Sequence, residues 1–184
     1  MQLGSAETVR PQPQKPVNDS TASSPSDDHC IEYRQALPSD TPKIHALLRP
    51  YVSQHLLLSR TDAEITELTR HGFVACIPAE GTDDLESDSD LPKSTVIGFA
   101  AVEVYSPKLA ELQSLAVRAD YQRSGVGQKL VDLCVQRTGE LGVMEIMAIS
   151  SSEKFLYSCG FDYSLPDQKR ALFRQLRPRP YEAD

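Results

Sequence analysis

The pattern of apolar and polar positions divides the chain from residue 30 onward into alternating strands and helices. Apolar residues that alternate or run together predict strands, and apolar residues three or four positions apart predict helices. The predicted strands cover residues 30–37, 73–77, 96–105, 110–117, 143–149, 161–163 and 172–176, and the predicted helices begin near residues 39, 61, 126 and 153. The resulting order is β α α β β β α β α β β, which indicates one domain with a mostly antiparallel sheet.

Local chemistry predicts several details of this order. Pro50 should kink or end the first helix, because proline lacks the N–H that a helix interior needs. Thr61 and Glu64 have the spacing of a capping box, which predicts the start of the second helix. The strands at 73–77 and 96–105 form a hairpin across a long tip, and the strand–helix–strand unit from 110 to 149 requires one parallel pair.

Residues 1–29 have a different composition from the rest of the chain. They contain four prolines among Ser, Thr, Gln and Asp and almost no apolar side chains. Such a segment cannot bury enough apolar surface to offset its loss of conformational entropy. We therefore expect a disordered arm at 1–29 and a single domain at 30–184.

Composition excludes several classes of protein. The net charge of −7 and a pI near 5.1 argue against a nucleic-acid partner. The four cysteines lack metal-ligand spacing, and the acidic residues at 79–93 lack the spacing of a calcium loop, so no metal is expected. No apolar stretch predicts a membrane span or a signal peptide, so we expect a cytoplasmic protein without a membrane partner.

The chemistry of the chain concentrates where the strand at 110–117 meets the following helix. The connection contains Gln122-Arg123-Ser124-Gly125-Val126-Gly127. A strand, a glycine-containing turn and a helix N-terminus direct several backbone N–H groups at one point, which suits a phosphate or a pyrophosphate. The lysine and hydroxyl of a P-loop are missing, and Leu130 stands where a dinucleotide fingerprint needs a third glycine or alanine.

This stretch resembles motif A of the GNAT (Gcn5-related) N-acetyltransferase superfamily, with Gln122, Gly125 and Gly127 at the motif positions. The segment from Phe155 to Phe161 is similar to the short helix and the Gly-Phe strand of that family. The resemblance implies an α+β fold of three layers, with a mixed and mostly antiparallel sheet flanked by helices. It also implies acetyl-coenzyme A as the cosubstrate.

The resemblance assigns the cofactor to two groups of residues. Backbone groups of Leu115, Ala116 and Val117 would pair with the pantetheine arm. The motif residue Gln122 and the amides of Arg123, Ser124, Gly125, Val126, Gly127 and Gln128 would form the pyrophosphate site. Domains of this family often dimerise, so a homodimer is also open.

A narrower resemblance concerns the acetyltransferase domain of bacterial N-acetylglutamate synthases, without their kinase-like domain. It covers the segments at 56–61, 110–127 and 165–173. It implies acetylation of the α-amine of L-glutamate, a step in arginine biosynthesis. By the same resemblance, Glu111 is the catalytic base, and Arg60 and Arg177 bind the substrate, with Lys169 or Arg170 as further cations. Glu103, one strand before Glu111, is the alternative base.

The proton donor and the acceptor stay open at this point. Leu156 stands where many family members have a tyrosine, Tyr157 follows it, and Ser150, Ser151 or Ser152 is an alternative donor or a helix cap. The acceptor could be another small amine or a peptide N-terminus, and a non-catalytic acetyl-coenzyme A-binding module is the third hypothesis.

Overall fold

The computed structural model describes residues 30–78 and 94–163, which fold around one mixed β-sheet. The strands are β1 (Glu32–Gln35), β2 (Gly72–Pro78), β3 (Ser94–Ser106), β4 (Leu109–Val117) and β5 (Glu145–Ala148). The α-helices are α1 (Thr41–Ser53), α2 (Asp62–Leu68), α3 (Val126–Glu140) and α4 (Glu153–Ser158). The predicted arm at 1–29, the acidic loop at 79–93 and the last predicted strand at 172–176 lie outside the described residues.

The strands lie in the order β1-β2-β3-β4-β5. Neighbours from β1 to β4 are antiparallel, and β5 is parallel to β4. The hairpin pairing of β2 with β3 and the parallel step across α3 are therefore confirmed. The α+β architecture with a mixed, mostly antiparallel sheet is confirmed as well.

Helices pack on both faces of this sheet. Apolar residues of α1 and α2, among them Ile44 and Ile65, share a buried cluster with Phe99 of β3. The buried stripe of α3 packs on the opposite face, where Leu130 belongs to a second cluster. At Gly98 an added Cβ would lie 2.9 Å from the Leu130 side chain, so the absence of a side chain there lets α3 lie directly on the sheet.

The start of α2 agrees with the sequence prediction. Thr61 and Glu64 form the predicted capping box, in which each side chain pairs with the backbone of the other residue. The hydrogen bonds from Thr61 lower the pKa of the Glu64 carboxyl. In the described part of the chain, no helix is both long and apolar enough to cross a membrane.

The structure decides two sequence predictions about element ends. Of the two outcomes predicted at Pro50, an end to α1 is excluded, because the helix continues to Ser53 with the proline inside it. Residues 161–163 are not a strand. Gly160 adopts a φ of +83° at the end of α4, and the Phe161 N–H donates to the Leu156 carbonyl at 3.0 Å, so these residues form the helix cap instead.

β4 has an irregularity that shapes the functional region. Two residues of β4, Ser114 and Leu115, lie opposite Ala100 of β3, and Ser114 has a φ of +55°. This is a β-bulge, which bends a strand and increases its twist. Only residues 109–112 of β4 pair with Glu145–Ala148 of β5, although β4 continues to Val117. The two parallel strands therefore separate beyond Leu112.

Candidate active site

The separation of β4 from β5 leaves one side of β4 open. The Arg118 N–H donates to the Ile97 carbonyl at 2.7 Å, so Arg118 is directed toward β3. Hydrogen-bonding directions alternate along an antiparallel ladder, so Ala116 also faces β3. Leu115 and Val117 then face the opening. Of the three residues predicted to bind the pantetheine arm, these two are the ones directed to that side, where the Val117 carbonyl already accepts hydrogen bonds from Tyr51 and Gln122 and leaves its N–H for a ligand.

The turn after β4 carries a row of backbone N–H groups. Within the described residues, none of the N–H groups from Arg123 to Gln128 donates to a backbone carbonyl. Arg123 and Gly125 adopt φ values of +63° and +87°, and a Cβ added at Gly125 would meet no atom within 4 Å. The turn leads directly into the 15-residue helix α3, whose N-terminus carries partial positive charge. This arrangement can bind an anion such as a pyrophosphate.

The side chain of Gln122 has a bracing role that the sequence did not predict. Its Nε2 donates to the Val117 carbonyl at 3.0 Å and lies 3.0 Å from the Tyr51 hydroxyl. The Tyr51 hydroxyl also donates to the Val117 carbonyl. These contacts hold the turn and α1 against the end of β4. Helical periodicity places Tyr51 in the apolar stripe of α1 and says nothing about its hydroxyl.

Glu111 lies in β4 on the face that carries α1 and α2. It is 9% exposed, whereas Glu103, directly opposite it on β3, is exposed. The Tyr105 hydroxyl donates to Glu111 Oε2 at 2.5 Å. The predicted base is therefore a buried side chain with a hydrogen-bond donor and not a solvent-facing strand residue.

Arg60 and Glu111 belong to one hydrogen-bonded network. Arg60 lies in the segment between α1 and α2, and its Nη2 donates to Gln113 Oε1 at 2.5 Å. Gln113 Nε2 donates to the Tyr105 hydroxyl at 3.3 Å, and Tyr105 donates to Glu111. Tyr105 and Gln113 were missed as functional candidates. Each lies two positions after an acidic residue in a strand, so β-alternation could have placed them on the same face.

Tyr105 remains a hydrogen-bond donor at neutral pH. Tyr105 is half exposed, and the partial burial of its hydroxyl together with the hydrogen bond to Glu111 raises the pKa of Tyr105 to about 12. The nearby negative charges act in the same direction, because they disfavour a tyrosinate. Its hydroxyl therefore keeps its proton over the range in which enzymes usually work.

The predicted proton donors lie around α4. Ser152 is the N-cap residue of α4, but its side chain makes no capping hydrogen bond, while Ser150 Oγ accepts from the Ser152 N–H at 3.0 Å. Tyr157 is half exposed and packs edge-on against Tyr163, with ring centres 6.1 Å apart. The Tyr163 hydroxyl donates to Glu153. Arg177, Lys169 and Arg170 lie outside the described residues.

The residues present fit coenzyme A. Among the described residues, the edge of β4 before the turn is unpaired, and the turn itself has free backbone N–H groups. At Gly125 no side chain blocks the approach of a ligand to these groups. An added Cβ at Gly127 would be in ordinary van der Waals contact with the Phe155 ring at 3.4 Å, so α4 packs beside the start of α3. Across the described residues, no group of three or more His, Cys, Asp or Glu side chains could hold a metal ion.

Fold and site together are those of a transferase that uses an acyl-coenzyme A. The sequence matches the acetyltransferase (GNAT) family over residues 45–161, and the chain belongs to this family.

Individual proteins are similar to this chain at identities of 23–29%. The chain is 29% identical to an uncharacterized N-acetyltransferase of Chlorobaculum tepidum over 137 residues, which cover 74% of this chain and 77% of that protein. It is 26% identical to an amino-acid acetyltransferase of Pasteurella multocida, covering 82% of this chain and 32% of that one. The structure of N-acetylglutamate synthase from Neisseria gonorrhoeae, complexed with coenzyme A and N-acetyl-glutamate, aligns with a TM-score of 0.55 at 23% identity. That alignment covers 70% of this chain and 27% of the synthase.

Proposed function

We propose that this acetyltransferase uses acetyl-coenzyme A to acetylate the α-amine of an amino acid, with L-glutamate first among the acceptors. The observation that carries the proposal is the hydrogen-bonded network that joins Arg60 to Glu111. It has a cation at one end and a carboxylate at the other. An α-amino acid carries the complementary charges, so its carboxylate suits Arg60 and its ammonium group suits Glu111.

Glu111 is proposed as the general base. Acetyl-coenzyme A supplies an acetyl group that is activated as a thioester. The ammonium group of the acceptor must lose a proton before its nitrogen can attack, and a carboxylate can accept that proton directly or through a water. The nitrogen then forms the N–C bond and loses a second proton, while the C–S bond breaks and the departing sulfur gains a proton. Tyr157 and Ser150, Ser151 or Ser152 remain the candidates for that last step.

The cofactor is proposed to lie along β4 and the turn that follows it. Backbone groups of Leu115 and Val117 would pair with the pantetheine arm, with Ala116 between them directed toward β3. The N–H groups from Arg123 to Gln128 would bind the pyrophosphate. The Gln122 side chain would act indirectly, because it holds the turn through the Val117 carbonyl.

Arg60 is proposed to bind a carboxylate of the acceptor. A guanidinium group can donate two parallel hydrogen bonds to one carboxylate, which gives both affinity and orientation. Arg60 is partly exposed, so it can reach a ligand while it holds Gln113. Arg177 is proposed as a second cation, which a dicarboxylic acceptor would need.

L-glutamate is placed first because of two similar proteins. One is named as an amino-acid acetyltransferase, and the other was crystallised with N-acetyl-glutamate. This chain spans only about a third of the amino-acid acetyltransferase. Their activity, and with it a role in arginine biosynthesis, therefore enters here as a proposal.

An acceptor panel tests the proposal. Release of free thiol from acetyl-coenzyme A is measured with L-glutamate, L-aspartate, L-glutamine, L-lysine and spermidine, each with the wild type and with Arg60→Leu. We expect release with L-glutamate, and a KM for it that rises at least about tenfold in Arg60→Leu because the charged hydrogen bonds to its carboxylate are lost. Release with L-lysine or spermidine but not with L-glutamate would refute the proposal.

A second acceptor class is favoured by one specific observation. Glu103 and Glu111 lie directly opposite each other on β3 and β4, and two carboxylates attract a cationic amine. A polyamine-like amine or a peptide N-terminus is therefore the alternative acceptor, and the same panel separates it from L-glutamate. Tight binding of coenzyme A without thiol release from any amine would instead indicate a non-catalytic binding module.

A cytoplasmic location is proposed from the sequence, and a homodimer from family resemblance alone. Sedimentation of the purified chain at several concentrations would measure its oligomeric state, and a single monomeric species throughout would exclude the dimer.

A further inference from the structure

The hydrogen bonds between Arg60 and Glu111 can run in only one direction. A guanidinium group has donors and no acceptor, so the group of Gln113 that faces Arg60 must be the carbonyl oxygen. The amide nitrogen then faces Tyr105 and donates to its hydroxyl oxygen at 3.3 Å. The Tyr105 proton is left for a carboxylate, and Glu111 Oε2 lies 2.5 Å away. Each side chain thus fixes the orientation of the next one.

Tyr105 has a choice between two carboxylates. Glu103 Oε2 lies 3.5 Å from the Tyr105 hydroxyl, against 2.5 Å for Glu111. A single hydroxyl proton cannot serve both at full strength, and the buried carboxylate has the greater need of a donor. The contact between Gln113 and Tyr105 holds the hydroxyl on the side of Glu111. Through these bonds Glu111 is linked to Glu103 and Tyr105 on β3 and to Arg60 from the segment between α1 and α2.

We propose that Tyr105 is a positioning residue for acetyl transfer, which aims the carboxylate of Glu111, and that Gln113 couples Tyr105 to Arg60. The inference rests on the proposed function, since it assigns Glu111 as the base and Arg60 as the acceptor-binding cation. It adds that these two residues act as one unit. A change at Gln113, which lies between them, then alters the behaviour of the base and not only the binding of the acceptor.

The test is a kinetic cycle on Tyr105→Phe, Gln113→Leu and the double variant, with kcat and KM measured across pH. Tyr105→Phe should lower kcat on the order of tenfold, which is less than the roughly 10²- to 10⁴-fold cost of losing a general base. Its KM should stay near that of the wild type, because the proposed role of Tyr105 is to aim the base. Gln113→Leu should act in the same direction with a smaller effect. The double variant should equal Tyr105→Phe, since the chain is already broken there.

Tyr33→Phe is the matched control. Tyr33 lies on β1, is partly buried and packs against the cluster on the α3 side of the sheet, so it loses a hydroxyl far from β4. Its kcat and KM should equal those of the wild type. A wild-type kcat in Tyr105→Phe, or effects of the two single changes that multiply in the double variant, would overturn the inference.

A second readout keeps the inference separate from the proposed function. Urea unfolding of the same variants measures whether Tyr105→Phe and Gln113→Leu are non-additive, and it needs no acceptor. Non-additive unfolding with no acceptor found would support the hydrogen-bonded chain while the proposed function fails. Additive unfolding would overturn the inference even if L-glutamate is acetylated.

Discussion

Gly125 offers a direct test of the anion site, because the same helix supplies its control. Gly125 precedes α3 with a φ of +87°, and Gly142 follows α3 with a φ of +70°. A Cβ added at either position would meet no atom within 4 Å. Alanine at either position therefore causes no collision, and its cost is the strain of a left-handed backbone, about 1–2 kcal/mol. Gly125→Ala and Gly142→Ala should destabilise the fold by similar amounts.

The two variants should differ in their affinity for coenzyme A. Gly125 lies within the row of free N–H groups from Arg123 to Gln128, whereas Gly142 lies at the opposite end of the helix. Relief of strain at Gly125 would rotate neighbouring N–H groups, and the new methyl group would stand where a phosphate approaches. We expect a loss of affinity on the order of tenfold, equivalent to about 1.4 kcal/mol, in Gly125→Ala alone.

Two measurements decide the matter. Urea unfolding gives the free energy of unfolding of each variant, and isothermal titration with coenzyme A gives its dissociation constant. Comparable destabilisation with weaker binding only in Gly125→Ala would support the anion site. Wild-type affinity in Gly125→Ala, despite the expected loss of stability, would refute the assignment of this turn to the pyrophosphate.

Three further predictions concern other parts of the molecule. Glu111→Gln should lower kcat by roughly 10²- to 10⁴-fold while titration shows unchanged binding of coenzyme A, and an unchanged rate across pH would remove Glu111 as the base. Burial alone would raise the pKa of Asp40, but hydrogen bonds from Arg34 and the Leu37 N–H outweigh it and lower that pKa. The ionised Asp40 therefore stabilises the fold above its unfolded-state pKa, and this stabilisation is lost as the pH falls through the folded-state pKa. Asp40→Asn should therefore cost about 2 kcal/mol at neutral pH in urea unfolding, with a smaller difference from the wild type in acid. Gly139→Ala should stabilise the fold by about 0.5–1 kcal/mol in the same assay, because Gly139 is exposed within α3 and its Cβ would meet no atom.

The turn at Gln122 and Gly125 could be predicted from sequence because its chemistry is local. A strand, a glycine turn and a helix N-terminus are contiguous in the chain, so their spacing alone defines the arrangement of the backbone N–H groups. The parallel pairing of β4 with β5 followed in the same way from one strand–helix–strand unit. Residues 161–163 were misassigned because Gly160 and the Leu156 carbonyl cap α4, and a cap with apolar residues resembles a short strand in sequence.

The network around Glu111 could not be predicted, because it depends on the register of two strands and on a contact distant in sequence. The alternation within each strand places Glu103 with Tyr105, and Glu111 with Gln113, on the same faces. Only the pairing of Glu103 with Glu111 brings the Tyr105 hydroxyl to the Glu111 carboxylate. The pairing of β3 with β4 shifts its register on both sides of this pair, so it does not follow from the sequence. Arg60 then reaches Gln113 from 53 positions earlier in the chain.

This register also supplies a physical reason to regard the face as functional. Like charges directly opposite each other destabilise an antiparallel pair, yet Glu103 faces Glu111 and one of them is buried. A pair selected for stability alone would place an opposite charge or an apolar side chain at one of these positions. The unfavourable pair is tolerated because Tyr105 donates to Glu111, and Gln113 and Arg60 hold that donor in place. A carboxylate that costs stability but is held by its own hydrogen-bond donors is typical of a site that accepts a proton. Glu103→Gln should therefore stabilise the fold while leaving the hydrogen bond from Tyr105 to Glu111 intact.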